Sequence, residues 1–179
     1  ETNMLDIYSA GDCAEFHTAF PYRKNIEQVW YTGKIQAEAL AKTICGNKTA
    51  YNPGIWFNSA KFFDIEYQTY GLVNFKTPNE KNLYWEHPEG KHSIRIVYND
   101  ECVIGFNLMG IRFRHEVCEK WIEQKRKVEY VLENLQEANF DPEFYTKHEN
   151  DVIETFKKQT GKGIQLKKSK GFINFLETA

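Results

Sequence analysis

The stretch DIYSAGDCAEF, residues 6–16, decides how the rest of the chain is interpreted. It opens with a short apolar and aromatic run, passes through small residues that end at Gly11, and reaches a carboxylate at Asp12. A strand that tapers to small residues and ends in an acid usually meets a ligand or another backbone at close range. We therefore predict a strand here, with Gly11 and Asp12 at its functional end. A turn or helix-cap aspartate is the alternative for Asp12.

Composition limits the function classes that remain. The chain has 179 residues, enough for one domain or for one domain and part of another. Its 23 basic and 25 acidic residues give a formal net charge of -2, which disfavours a nucleic acid or an anionic membrane as the main partner. No apolar run approaches the ~18 to 20 residues that span a bilayer, and the N-terminus lacks a signal peptide's basic and apolar regions. We expect a soluble, cytoplasmic protein.

The four cysteines are widely and irregularly spaced, with no CxxC pair: Cys13, Cys45, Cys102 and Cys118. This spacing favours reduced thiols over a disulfide or zinc framework. Cys13 has no resolving cysteine near it in sequence, and we expect it to be buried and inert rather than redox-active.

A helix is expected after the opening strand. Apolar or small residues recur at steps of three and four between Ile26 and Ile44. Asn25 is the expected N-cap, and Gly46 is the expected end. Gly33 lies inside the apolar stripe, where glycine costs about 1 kcal/mol relative to alanine. We therefore expect Gly33 to permit a close approach of a strand.

Four later segments have the composition of strands. Aromatic and branched residues fill FFDIEYQTYGLVNF, NLYWEHP, HSIRIVYN and CVIGFNLMG, and short turn sequences separate them. They predict an antiparallel meander of three to five strands. A long amphipathic helix is expected from Val117 to Ala138, and a second one from Asp141 and Pro142 to the sequence TGKG. The predicted fold class is α+β: an antiparallel sheet packed by two long C-terminal helices and preceded by a β-α remnant.

The order of these segments resembles the FAD-dependent pyridine nucleotide-disulfide oxidoreductases. LDIYSAGDCAE followed by IEQVWYTGKIQAEALAKTICGN is similar to the last strand and following helix of that family's FAD domain, where the strand ends in A-x-G-D or A-G-D. PGIWFNSAKFFDIEYQTYG is similar to the opening of the family's C-terminal interface domain, especially in ferredoxin-reductase-like members. The resemblance is most specific over residues 6–71.

The resemblance implies part of a flavin site. In the family, the aspartate accepts a hydrogen bond from a ribityl hydroxyl of FAD, and the small residues before it let the strand approach the cofactor. Gly11 and Asp12 match these positions. The following helix directs its N-terminus at the flavin, and Gln28 and Val29 match its first turn. Trp56 matches an aromatic residue that packs near the flavin ring in similar reductases, with core packing as the alternative.

What the sequence lacks shapes this interpretation. It contains no GxGxxG motif, which the family's FAD-binding and NAD(P)H-binding folds use for the pyrophosphate. We therefore expect the C-terminal segment of a longer FAD-dependent NAD(P)H oxidoreductase. Residues 1–50 would end its FAD domain, and residues 51–179 would form its interface domain. The isolated chain is not expected to retain FAD or to be active.

Several alternatives stay open. His87 in WEHPEGKH invites comparison with the catalytic histidine of disulfide reductases in this family, but His92 stands where the pairing acid belongs, so a turn histidine is favoured. The resembled interface domain commonly dimerises, and we expect a homodimer that passes electrons to a protein or a small-molecule acceptor. A non-catalytic interaction or dimerisation module is the competing class.

Overall fold

Alternating apolar and polar residues between Phe57 and Met109 form five antiparallel strands. The structure is a computed structural model, and it describes residues 1–140 and 146–167. The strands are β1 (Phe57–Phe62), β2 (Ile65–Gly71), β3 (Lys81–Glu86), β4 (Ser93–Asn99) and β5 (Cys102–Met109). The antiparallel sheet expected from the sequence is confirmed.

The strand order is β1-β2-β5-β4-β3, which departs from a simple meander at one connection. β3, β4 and β5 are consecutive neighbours, and Asp100 and Glu101 adopt positive φ angles in the tight β4–β5 turn. β2 pairs with β5 rather than with β3, and Tyr70 lies opposite Phe106. β3 exposes alternate residues whereas β5 is largely buried, so β5 is the better central strand. The connection over residues 72–80 carries the chain to the far edge.

One face of the sheet forms the core together with the helices that follow it. Ile96, Phe106 and Leu108 are fully buried there, and Trp121 and Phe156 pack against the same cluster from two helices. The helices are α1 (Trp30–Ile44), α2 (His115–Glu123), α3 (Val128–Glu133) and α4 (Glu149–Thr160). The expected α+β class is confirmed.

The single long helix expected from Val117 to Ala138 is wrong. The chain forms α2, α3 and a 3-10 turn at Leu135–Glu137 instead. The Val103 N–H donates to the Arg126 carbonyl, and the Val128 N–H donates to the Glu101 carbonyl, both at 2.8 Å. Because this backbone pairs with the start of β5, it cannot continue the helical ladder.

α4 agrees with the expected second helix where the structure describes it. Val152, Ile153 and Phe156 are buried, and Gly161 ends the helix at φ 73°. The helix start predicted at Asp141 and Pro142 lies outside the described residues. The described helix begins at Glu149, with His148 as N-cap.

The opening strand is also wrong, and so is the Asn25 N-cap. Residues 7–12 lie outside any strand, and α1 begins at Trp30. The Phe16 N–H donates to the Asn25 carbonyl at 3.0 Å, and Glu15 and Ile26 form an isolated antiparallel bridge. This bridge keeps the backbone extended where the helix was expected to begin. The predicted end is confirmed, because Cys45 caps the helix and Gly46 follows at φ 90°.

All four cysteines are free thiols, as expected, but their burial differs from the prediction for Cys13. Cys13 and Cys45 are exposed, Cys102 is half-buried and Cys118 is buried. Cys13 is exposed because the segment around it lacks a neighbouring strand in the described part of the chain. None of the helices that the structure describes is long and apolar enough to cross a membrane.

Candidate functional site

A cavity of about 570 Å³ lies between the loop that enters α1 and the sheet face opposite the core. Its walls combine three aromatic rings, several amide side chains and one ion pair. Three predicted site residues line it, namely Gln28, Val29 and Trp56. The other residues used below are Tyr22, Arg23, Glu27, Thr69, Gly71, Asn74, Phe75 and Asn107.

The N-terminus of α1 borders this cavity. Val29 is the N-cap, has extended backbone angles (φ -133°, ψ 126°), and provides no side-chain cap. Its carbonyl accepts hydrogen bonds from Thr32 Oγ1 at 2.7 Å and from the Gly33 N–H at 3.1 Å. The first turn contains no acidic residue. The helix therefore keeps its N–H groups and positive dipole end without a side-chain cap or an acidic residue in its first turn, which suits a site for developing negative charge.

A buried ion pair forms one wall. Arg23 donates from two guanidinium nitrogens to the Glu27 carboxylate, from Nε to Oε1 and from Nη2 to Oε2 at 2.8 Å. The two side chains are 7% and 5% exposed. Burial and the nearby Glu27 charge raise the pKa of Tyr51, although Arg23 opposes the shift. A buried ion pair seldom adds net stability over apolar packing. The position of this pair at a cavity wall therefore favours a role in binding a ligand over a role in stability.

Gly71 lies at the floor of the cavity, and a second glycine faces it from the neighbouring strand. Gly71 on β2 lies opposite Gly105 on β5. A Cβ atom at Gly105 would lie 2.1 Å from the Leu72 carbonyl oxygen, and one at Gly71 would lie 2.2 Å from the Ile104 carbonyl oxygen. The backbone on the two strands therefore lies too close for any side chain at these positions.

Polar side chains continue the floor beside the glycines. Asn107 Nδ2 donates to Thr69 Oγ1 at 3.0 Å. Trp56 is held at the edge, where its carbonyl accepts the Gly71 N–H at 2.7 Å. The ring of Trp56 and the Asn107 amide therefore face a common space, which suits a planar molecule with polar edges.

Gly11 and Asp12 do not line the cavity. The Gly11 N–H donates to Gln36 Oε1 at 2.7 Å, and a Cβ at Gly33 would lie 3.6 Å from the Gly11 Cα. The prediction that Gly33 permits a close approach of a strand is wrong, because the facing segment is not a strand and a Cβ at Gly33 would meet it at an ordinary contact distance. Asp12 is exposed, and its side chain makes no hydrogen bond within the described residues.

Sequence reasoning missed the other wall residues. Arg23 and Glu27 are spaced as an i,i+4 pair just before α1, and this spacing is a sequence signal for an ion pair. Asn107 and Phe75 carried no local signal, because only the sheet order brings β5 and the 72–80 connection beside the α1 entry.

A second cluster joins the β3–β4 hairpin to the start of α4. The rings of His87, His92 and His148 lie 5.4 to 5.8 Å apart, and Trp85 lies 4.8 Å from His148. Burial, with His92 and His87 next to it, lowers the pKa of His148 below its ordinary value of 6.5, although Asp151 and Glu149 oppose this. Within the described residues, no group of three or more histidine, cysteine or acidic side chains could hold a metal ion. His87 lies at the hairpin turn, as favoured from the sequence, and accepts the Glu89 N–H at 3.3 Å.

Comparisons with known proteins find reductases that are similar to this chain in sequence or in structure. The rubredoxin-NAD(+) reductase of Acinetobacter baylyi is 32% identical over 113 residues, which are 62% of this chain and 26% of that protein. The solved NAD-dependent persulfide reductase from A. fulgidus superposes with a TM-score of 0.62 at 19% identity, over 91% of this chain and 34% of that one. NADH:rubredoxin oxidoreductase from Clostridium acetobutylicum gives a TM-score of 0.47 at 21% identity, over 71% and 31% of the two chains. No protein-family model matches the chain.

The sheet and its helices share the fold of the matched part of the A. fulgidus persulfide reductase. The similarity to the FAD-dependent pyridine nucleotide-disulfide oxidoreductases predicted from the sequence is confirmed. The chain spans about a quarter (26%) of the length of the curated relative.

Proposed function

We propose that this chain is the C-terminal segment of an FAD-dependent NAD(P)H oxidoreductase, and that the cavity beside α1 receives the flavin ring. One observation carries the proposal: the α1 N-terminus, Trp56 and the polar floor at Asn107 line the same 570 Å³ cavity. Residues 1–50 then complete an FAD domain, and residues 51–179 form the interface domain. The names of the relatives support the reductase class.

The residues present fit such a cofactor. Bound FAD would supply hydride and electron transfer between NAD(P)H and an acceptor. The uncapped α1 N-terminus at Val29 stabilises negative charge next to it. Trp56 covers one side of the space and restricts water, while Asn107 and Gln28 offer amide groups to polar ring edges.

Asp12 has a separate role in this proposal, outside the cavity. The hydrogen bond from Gly11 to Gln36 and the contact with Gly33 hold the segment against the first turns of α1. The carboxylate is exposed, so it is available to accept a hydrogen bond from a ribityl hydroxyl. Small residues before it leave room for the chain of the cofactor.

The test uses the natural full-length protein that contains this segment. We expect Asp12→Ala to weaken FAD retention about ten- to hundredfold, since a hydrogen bond to a charged acceptor contributes roughly 1.5 to 3 kcal/mol. Flavin absorbance after dialysis measures the loss. Glu38→Gln removes an exposed carboxylate from α1 and is the matched control. Equal retention in all three proteins would contradict the role of Asp12, and a full-length protein without any flavin would contradict the proposed function.

Homodimer formation is the second part of the proposal. The β1–β2 hairpin ends in two exposed rings, Phe62 (71% exposed) and Phe63 (83% exposed), whose centroids lie 4.7 Å apart. Exposed aromatic pairs of this kind favour a protein contact. Sedimentation of the full-length protein over a concentration series tests it. A monomer at every concentration would reject the dimer, and a dimer without flavin would favour the non-catalytic module.

A further inference from the structure

Two aromatic rings meet across the cavity from different parts of the chain. Tyr22 lies in the loop before α1, and Phe75 lies in the connection between β2 and β3. Their ring centroids are 6.1 Å apart, and the ring planes are nearly perpendicular at 84°. Both residues line the cavity. The contact therefore joins the loop wall to the sheet wall.

The backbone on each side of this contact is held firmly. Tyr22 has a φ of 59°, and Phe75 lies between Asn74 at 64° and Lys76 at 53°. Such angles are uncommon for residues other than glycine, and they persist where surrounding contacts fix them. The rings are thus attached to two shaped loops.

Identified contacts anchor the two loops. Arg95 on β4 donates from Nη1 to Asn74 Oδ1 at 3.3 Å, which ties the Phe75 loop to the sheet. Tyr22 precedes Arg23, which is locked to Glu27 by the buried ion pair. The loops stay in place when either ring moves, because neither anchor involves a ring.

The rings themselves are only half covered. Tyr22 is 53% exposed and Phe75 is 47% exposed, and half-exposed side chains change rotamer on the picosecond to nanosecond scale. Anchored loops that carry half-exposed rings have the arrangement of a gate rather than of a rigid wall.

We propose that Tyr22 and Phe75 form an aromatic gate that controls access to the cavity floor. When the rings are in contact, they close one side of the space above Trp56 and Asn107 and hinder the entry of small planar molecules as well as bulky ones. When they part, a planar aromatic molecule passes. If the cavity receives the flavin ring, the gate also limits which electron acceptors reach that ring. This consequence rests on the proposed function, whereas the gate itself does not.

The test measures access to Trp56 without any flavin. Four tryptophans fluoresce, but Trp85 and Trp121 are 7% and 3% exposed, and Trp30 is 70% exposed. In a Trp30→Phe background, acrylamide quenching therefore reports chiefly on Trp56. The 179-residue chain serves for this measurement, with near-UV circular dichroism and cooperative thermal unfolding as the criteria of folding.

Four variants in the Trp30→Phe background test the gate. We expect Tyr22→Ala and Phe75→Ala each to raise the quenching constant at least about twofold, because either change removes the ring contact. The double variant should exceed neither single variant, since one missing ring already opens the gate. Tyr22→Phe keeps the ring and should quench like the parent. Phe140→Ala is the matched control, because it removes a half-exposed ring that does not line the cavity.

Two results would overturn the gate. Unchanged quenching in both alanine variants would show that the rings do not limit access, and additive increases in the double variant would show two independent openings. If an alanine variant does not fold, Tyr22→Leu and Phe75→Leu replace it, because leucine keeps apolar volume and removes the ring contact. An absence of flavin from the full-length protein would leave this quenching result unaffected, so the two proposals fail separately.

Discussion

The Gly11 N–H donates a hydrogen bond of 2.7 Å to Gln36 Oε1 on α1, and this tether attaches the segment before Asp12 to the helix. Gly33 contributes to the same junction, because its backbone faces the Gly11 Cα. The only covalent link between these parts runs through the long loop over residues 13–29. The tether therefore decides where Asp12 lies relative to the start of α1.

A small side chain at Gly33 should be tolerated, and a large one should not. A Cβ there would lie 3.6 Å from the Gly11 Cα, an ordinary contact distance. We expect Gly33→Ala to raise the free energy of unfolding by up to about 1 kcal/mol through helix propensity. Gly33→Leu should lower it by about 1 to 3 kcal/mol through overpacking. Urea unfolding of both variants checks this, and destabilisation by alanine would show a tighter junction than the structure has.

Gly105 should not tolerate even a methyl group. A Cβ at this position would lie 2.1 Å from the Leu72 carbonyl oxygen, and backbone cannot yield as a side chain does. We expect Gly105→Ala to lower the free energy of unfolding by about 1 to 3 kcal/mol or more. Gly163→Ala is the control, because nothing lies within 4 Å of its Cβ position. Equal unfolding midpoints for the two variants in urea would contradict the close strand contact at the cavity floor.

Acid should destabilise the protein through His148. The pKa of His148 is lowered in the folded state by burial and by His92 and His87. The unfolded chain therefore binds a proton near pH 6.5 while the folded chain does not, so stability is complete above that pH and falls as the pH drops towards the folded pKa. We expect the wild-type protein to unfold at a lower urea concentration at pH 5.5 than at pH 7.5.

The variant His148→Asn isolates this contribution. Its loss of stability between pH 7.5 and 5.5 should be smaller than that of the wild type, because the group that resists protonation is absent. His17→Asn changes an exposed histidine and should retain the full loss. A loss in His148→Asn as large as in the wild type would place the acid sensitivity elsewhere.

Thiol labelling should separate the cysteines by burial. Burial raises the pKa of the Cys118 thiol well above its ordinary value of 9.0, whereas Cys13 and Cys45 are exposed. Because the thiolate is the reactive form, Ellman's reagent should modify Cys13 and Cys45 rapidly and Cys118 only after unfolding. Mass spectrometry of the labelled peptides identifies the sites. Rapid modification of Cys118 in the folded protein would contradict the packing of α2 on the sheet.

Much of the local structure followed from the sequence alone. The period of three and four residues gave a helix ending before Gly46, and aromatic and branched runs gave the strands. Gly46 and Gly161 marked helix ends because left-handed φ angles depend on the residue itself. The order of segments also carried the resemblance to the reductases. These features are short-range, so neighbouring residues suffice to specify them.

The tertiary structure decided the remainder. The pairing of β2 with β5, the break between α2 and α3, and the bridge of Glu15 with Ile26 all join backbone groups that periodicity treats as independent. The cavity arose in the same way, because Gln28, Trp56 and Asn107 come from the α1 entry, the start of β1 and the middle of β5. Hydrogen bonds and packing between distant segments place these residues together, and no local pattern specifies which segments will meet.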